Sequence, residues 1–357
     1  MEKGLKSKIA PFLGSLTQPN PFWTAYSSPA WYLRLFKRRG LEAKSEKRET
    51  KDYPVYIVFT CDLELDPPWN TKSWNKRTSF GLERGIPILL GLLEKYKIQA
   101  TFFSEGRLAK TQSGLIKELK DKGHEIGCHG YAHESYGGSF RLDPFIPLPK
   151  VLSLMDKKRM ILLAKDRLEK ITNTQLVSFR APFLHIDSKT VAILDEVGFL
   201  VDSSLYNNLF GKLSNPYHPL KNNFLIEGED ANRTCGLLEI PVTVNPIPRL
   251  LPHTPYQQIY PKEIEEGIEA VKTITFLSGI KKIPVVILLL SHPWEFIETR
   301  NPLGIITGSK REEVLDGFFE ILSSLNNPYF VTVAQMRQIW EDGYCPIHAK
   351  VRGECGN

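Results

Sequence analysis

From Tyr53 onward, short apolar runs alternate with helical patterns, and no other feature restricts the fold of this chain as much. Short apolar strands separated by amphipathic helices bury their apolar faces most simply as β/α units around a parallel sheet. The runs predict strands at Val55–Cys61, Gln99–Phe103, Glu125–Cys128, Val177–Arg180, Phe199–Asp202, Leu238–Val242, Val285–Ser291 and Tyr329–Val333. Helices are expected between them at Leu82–Tyr96, Ser113–Lys122, Lys157–Ile171, Ser188–Val197, Lys262–Ser278 and Arg311–Asn326, with Ser188 and Ser309 supplying N-cap chemistry. The stretch Gly137–Lys150, with Pro144, Pro147 and Pro149, reads as a loop.

The chemistry-bearing residues collect at one end of these strands. Asp62 and Glu64 follow the first, His129 and His133 the third; Arg180 ends the fourth, Asp202 the fifth, and His292 follows the very apolar seventh. Carboxyl ends of parallel strands are where α/β enzymes of the barrel type place their sites. Two histidines four apart after a strand can face one cation, and a carboxylate beside them completes a usual divalent-metal set. Asp62 and Glu64 are two apart, so on a continued strand they point the same way, with Leu63 turned aside. One of the pair can bind metal while the other remains a general base.

The charge balance narrows the partners. Residues 1–52 hold eleven Lys and Arg against five Asp and Glu, which accounts for the whole formal net charge of +6. The remainder balances to zero, so it offers no broad basic footprint for nucleic acid. Within the basic arm, Trp31, Tyr32, Leu35 and Phe36 share one helical face, a pattern that suits either packing on the body or a peripheral membrane contact through residues 30–39. Residues 41–52 are charged and aperiodic, as linkers are. The longest apolar run is far below the roughly 20 residues of a membrane span. Neither a secretory signal nor a disulfide framework is legible: the start reads Met-Glu-Lys-Gly-Leu-Lys, and the five cysteines are odd in number and sparse. The expectation is a cytoplasmic protein, at most peripheral at the inner membrane face, of no legible oligomeric state.

Six segments in order then resemble the polysaccharide deacetylases of the NodB-homology type, carbohydrate esterase family 4. They are Phe59-Thr-Cys-Asp-Leu-Glu64, Ala100-Thr-Phe-Phe103, Gly123-His-Glu-Ile-Gly-Cys-His-Gly-Tyr-Ala-His133, Phe179-Arg-Ala-Pro-Phe183, Val201-Asp-Ser-Ser204 and Leu289-Leu-Ser-His-Pro-Trp-Glu295. Two departures stand out: Asp62-Leu-Glu64 replaces the family's common adjacent aspartates, as in its allantoinase-like and unusual peptidoglycan deacetylase branch, and Tyr206 stands where tryptophan is usual. The resemblance implies an α/β distorted (β/α)7 barrel, with 1–52 as arm and linker, 53–345 as catalytic domain and 346–357 as tail. It also implies hydrolysis of carbon–nitrogen bonds other than peptides: removal of an N-acetyl group from a carbohydrate. Under it, Glu64, His129 and His133 hold a divalent metal, zinc first, with Co2+, Ni2+ or Mn2+ as alternatives. Asp62 is the base, paired with Arg180; His292 is the acid, its proton held by Asp202; Pro182 and Phe183 shape the oxyanion site through the Phe183 N–H. A metal-independent allantoinase-like or cyclic imide hydrolase is the alternative enzyme, and a non-catalytic carbohydrate-binding protein the alternative of another class. Trp294 and Glu295 are expected to flank the acyl pocket without a catalytic part.

Overall fold

The computed structural model describes residues 54–68, 76–137, 151–205, 215–220, 223–227, 235–243, 271, 284–299, 306–325 and 328–343, all within one compact unit. The expected arm helix at Trp31–Arg39, the linker, Tyr206 and the tail lie outside the described residues, as do the loop after Gly137 and nearly all of the helix expected at Lys262–Ser278.

All eight expected strands occur in one parallel sheet. β1 is Val55–Leu63, β2 Thr101–Ser104, β3 Glu125–Cys128, β4 Ser178–Phe179 and β5 Val201–Asp202. A small antiparallel hairpin, β6 (Pro219–Leu220) with β7 (Asn223–Glu227), stands apart from that sheet and was not legible in the sequence. β8 is Leu238–Glu239, β9 Val285–Ser291 and β10 Pro328–Phe330. The neighbours run β9–β1–β2–β3–β4–β5–β8. Just past β8, the Thr243 N–H donates to the Leu288 carbonyl of β9 at 3.0 Å, and the Leu288 N–H donates to Thr243 Oγ1 at 2.9 Å. That contact closes seven strands into a barrel. β10 takes the edge of β1 at Val55–Ile57, whereas β2 pairs with β1 at Thr60–Leu63.

Strand parity decides what each face carries. In β1, Val55, Ile57, Phe59, Cys61 and Leu63 join the core beneath the surrounding helices, while Tyr56 and Val58 join the core inside the barrel. β9 divides the same way, with Val286, Leu288 and Leu290 inside. A strand buried on both faces needs an unbroken apolar run, which is what these two supply. Towards the carboxyl ends the inward positions turn polar, and Thr60, Asp62 and Glu64 are buried there.

The helices are α1 (Ile86–Lys95), α2 (Leu108–Thr111), α3 (Ser113–Asp121), α4 (Leu154–Thr172), α5 (Ser188–Glu196), α6 (Ser309–Ser323) and α7 (Val333–Glu341). Two expected caps shift by one residue: Asp187, not Ser188, accepts the Thr190 N–H, and Gly308 precedes α6. The last expected strand also ends early. Thr332 and Gln335 form a capping box that starts α7, so Val333 is helical and packs, with Met336 and Ile339, into the barrel core.

A π-helical turn, Gly81–Gly85, enters α1 and presses on the turn Pro293–Phe296 that follows β9. A Cβ on Gly85 would lie 2.0 Å from the Pro293 carbonyl oxygen, and one on Gly81 would lie 2.6 Å from the Trp294 nitrogen. Asp66 anchors this helix entry by accepting from the Phe80 and Gly81 N–H groups, each at 2.9 Å. The tail of β1 and the turn after β9 are thereby fixed against each other.

Candidate active site

The inward-facing ends of β1, β3, β4 and β9 meet in one buried cluster. Arg180, wholly buried, is its hub. Its Nη1 donates to Asp62 Oδ1 at 2.9 Å and Thr60 Oγ1 at 2.7 Å; its Nε donates to the Ser203 carbonyl at 2.9 Å and its Nη2 to Ser203 Oγ at 2.8 Å. The Phe103 ring lies beneath the guanidinium at 4.3 Å. One oxygen of Asp62 is thus engaged, while Oδ2 faces His129 Nε2 at 3.7 Å and His292 Nε2 at 3.9 Å.

Beside Asp62, donor atoms of Glu64, His129 and His133 lie within 4.8 Å of one another, and all three residues are buried. His129 Nδ1 is 2.9 Å from the Arg180 carbonyl. A carbonyl only accepts, so Nδ1 carries the proton and Nε2 keeps its lone pair for the cluster, the arrangement usual in metal-binding histidines. Burial also pushes the His129 pKa down, despite the opposing charge of Asp62, which favours the neutral ring a metal requires. Glu64 Oε2 contacts His133 Nε2, and Glu64 Oε1 accepts from the Trp294 indole at 3.2 Å. Burial opposes ionisation of Glu64, but the His133, His292 and Arg77 charges outweigh it and hold the carboxyl well below the usual carboxylate range. Two imidazoles and a carboxylate, converging and buried, suit a divalent ion.

The loop carrying His133 is a turn, not a helix. Gly130 and His133 both take positive φ, at 69° and 68°. The Glu134 carboxylate holds the turn by accepting from the Tyr131 and Ala132 N–H groups, each at 3.0 Å. Phe183, whose ring packs edge-on to His133 at 4.4 Å, has φ 61°, and Leu184 follows at 55°. Left-handed non-glycine residues cost about 1–3 kcal/mol each and cluster at functional sites. Here two of them, His133 and Phe183, pack against each other at the donor cluster.

Asp202 is the expectation that the structure corrects. It makes no contact with His292 among the described residues. Val201 faces the barrel interior, so its neighbour Asp202, in register with Phe179 and Glu239, faces the other way. There Asp202 accepts from Ser204 and pairs with Glu239. Burial pushes Asp202 up to about 6, and burial together with the Asp202 charge pushes Glu239 well above the carboxylate range. The carboxylate beside His292 is Glu295, at 2.7 Å from Nδ1. Burial works against the imidazolium, but Glu295, with help from Glu64 and Asp62, raises the His292 pKa overall. Besides Glu295, sequence reading missed Arg77, whose Nη1 lies 3.8 Å from Glu64, and Glu239. Only Glu295 carried a signal, its place three residues after His292.

The Asp202–Glu239 pair gives a signed prediction. Both carboxyls are protonated more readily in the folded chain than in the unfolded one. Their contribution to stability is therefore fully present below the ordinary carboxylate range and is lost as pH rises, through about 6 for Asp202. Glu239→Gln removes the carboxyl whose ionisation the folded chain opposes. Thermal melts should show the variant gaining on the wild type as pH rises above the ordinary carboxylate range, and a difference in Tm that ignores pH would refute proton sharing by the pair.

A polysaccharide deacetylase model matches residues 80–201, which include His129, His133, Arg180 and Phe183. Over that segment the chain is similar to the polysaccharide deacetylases. It is 32% identical over 163 residues to a protein named peptidoglycan deacetylase from Helicobacter pylori, a span that covers 44% of this chain and 51% of that one. A crystal structure described as a probable polysaccharide deacetylase from Pseudomonas aeruginosa PAO1 superposes with a TM-score of 0.57 at 16% identity, covering 82% of this chain and 92% of that one. A structure described as Puue allantoinase gives 0.56 at 15% identity, covering 84% and 95%. At such identities the structural likeness shows the barrel fold. The chain spans about half the length of the curated relatives it matches first, 51% and 44%. Asp62, Glu64 and His292 lie outside the segment matched by the family model. Their membership of the site rests on the geometry above.

Proposed function

We propose that this deacetylase-family chain hydrolyses the N-acetyl group of a sugar unit in an acetylated glycan, with zinc held by Glu64, His129 and His133. The observation that carries the reading is the juxtaposition of that donor set with Asp62 on one side and His292 on the other. The peptidoglycan deacetylase relative supports an N-acetylated glycan as the substrate class.

A bound divalent ion supplies Lewis acidity, activating water and polarising the acetyl carbonyl. The protein's own groups do the rest. Asp62, oriented by Arg180 through Oδ1, takes the proton of the attacking water at Oδ2. The new carbon–oxygen bond forms on the acetyl carbon, and the Phe183 N–H, at the left-handed turn beside His133, donates to the oxygen that gains charge. His292 Nε2 then gives a proton to the departing nitrogen as the carbon–nitrogen bond breaks, leaving acetate and a free amine. Arg180 has a structural duty as well, since its hydrogen bonds tie together the ends of β1, β4 and β5.

The test joins metal analysis to an acetate-release assay. Purified protein should carry about one divalent ion per chain and should release acetate from N-acetylated glycan oligomers in proportion to that occupancy. Full hydrolysis of a cyclic imide or ureide by a verified metal-free preparation, with no acetate release, would overturn the proposal in favour of the allantoinase-like alternative.

A further inference from the structure

His292 leaves β9 into a tight turn that folds back over its own ring. The Glu295 N–H donates to the His292 carbonyl at 3.1 Å, which brings the Glu295 side chain onto the imidazole, and Oε1 meets Nδ1 at 2.7 Å. The other oxygen is held from two directions. Ser291 Oγ donates to Oε2 at 3.2 Å, and Arg311 Nη2, from the first turn of α6, donates to the same atom. The backbone repeats the tie: the Gly308 N–H donates to the Glu295 carbonyl at 2.9 Å, and the Arg311 N–H donates to the Gly308 carbonyl at 3.0 Å. Glu295 is 1% exposed and Arg311 4% exposed, so neither sits there as a solvated surface pair.

The Trp294 indole stacks on the imidazole at 4.9 Å, with an interplanar angle of 23°, and fixes the ring plane. The charged groups facing His292 are then Glu295 on its own turn, Asp62 at 3.9 Å from β1, and Glu64 beyond it; Arg311 acts through Glu295. Arg311 and His292 together hold Glu295 below the usual carboxylate range against the effect of burial, so it is an ion that only accepts. Nδ1 must therefore carry a hydrogen, and Nε2 is the nitrogen left to exchange protons.

We propose that Glu295, clamped by Arg311 and Ser291, is the positioning residue for proton delivery by His292, fixing the Nδ1–H form and turning Nε2 toward Asp62. This rests on the deacetylation reading and assigns to Glu295 the duty that the family resemblance implied for Asp202. The competing account is a staple in which Glu295 and Arg311 only join the turn after β9 to α6, with the imidazole an incidental neighbour.

The full-length, zinc-loaded protein separates the two. In nitrogen-15 spectra of the wild type, the His292 ring should hold its Nδ1 proton across the titration while Nε2 titrates. In Glu295→Gln, the His292 midpoint should fall by about one pH unit or more. On an N-acetylated glycan oligomer, the alkaline limb of the kcat profile should fall with it, while KM stays near its wild-type value and Glu295→Asp recovers part of the shift. An unchanged midpoint and pH profile in a folded Glu295→Gln protein would reduce Glu295 to a staple. If that variant fails to fold, the wild-type spectrum still decides, because a ring with Nδ1 unprotonated at neutral pH overturns the assignment. If wild-type protein releases no acetate, the deacetylation reading fails by itself, and the spectra still report whether Glu295 governs the ring.

Discussion

Asp62→Asn is expected to bind metal normally and to lose acetate release by roughly 10²-fold or more, the usual scale of general-base assistance. The substitution is nearly isosteric, and the amide oxygen can still accept from Arg180 Nη1, as Asp62 Oδ1 does at 2.9 Å. What disappears is the acceptor capacity of Oδ2, the atom that faces His129 and His292. Arg180 keeps Thr60 and both Ser203 contacts, so the fold should survive the loss of its ionic partner. That matters because breaking a buried ion pair costs about 3–5 kcal/mol where nothing else receives the charge. Thermal melts and metal content should therefore accompany the kinetics. If Asp62→Asn empties the metal site while Glu64→Gln leaves it filled, the two carboxylates have exchanged roles.

His129→Ala and His133→Ala should each take the bound metal from about one ion per chain to nearly none and abolish hydrolysis, since two remaining protein ligands hold zinc poorly. The readout is metal analysis after dialysis. A second measure is thermal: added zinc should raise the Tm of the wild type and leave that of both variants in place, because only a folded state that binds the ion gains from it. The two variants should differ in their metal-free stability. His129 hydrogen-bonds the Arg180 carbonyl, so its removal leaves that buried acceptor without this partner. His133 stands at φ 68°, and alanine there keeps the backbone strain while losing the packing on Phe183. Full metal occupancy in either variant would remove that histidine from the ligand set.

Sequence patterning determined the parallel strands and which polar residues stand at their carboxyl ends, while the barrel itself was implied by the family resemblance. Parallel strands buried on both faces require continuous apolar runs, and Val55–Leu63 and Val285–Ser291 declare themselves by composition. A period of two then placed Asp62 and Glu64 on one face, and the four-residue spacing brought His129 and His133 together, because both relations are local and need no knowledge of neighbours. Parity failed at Asp202. β5 is two residues long, too short for an alternation to be read, and only its register with β4 and β8 shows that Val201 faces inward and Asp202 away. The partner of His292 was hidden for a related reason. Glu295 looked like the edge of a pocket, and only the reversal of the chain after β9, held by Arg311 from a helix sixteen residues on, lays its carboxylate against the imidazole. Arg77 and Glu239 were likewise beyond reach, since neither has a periodic or motif-spaced relation to the group it contacts. Local spacing fixes which way a side chain points along its own strand; which charge it meets there is decided by turns and register that bring distant segments into the same few ångströms.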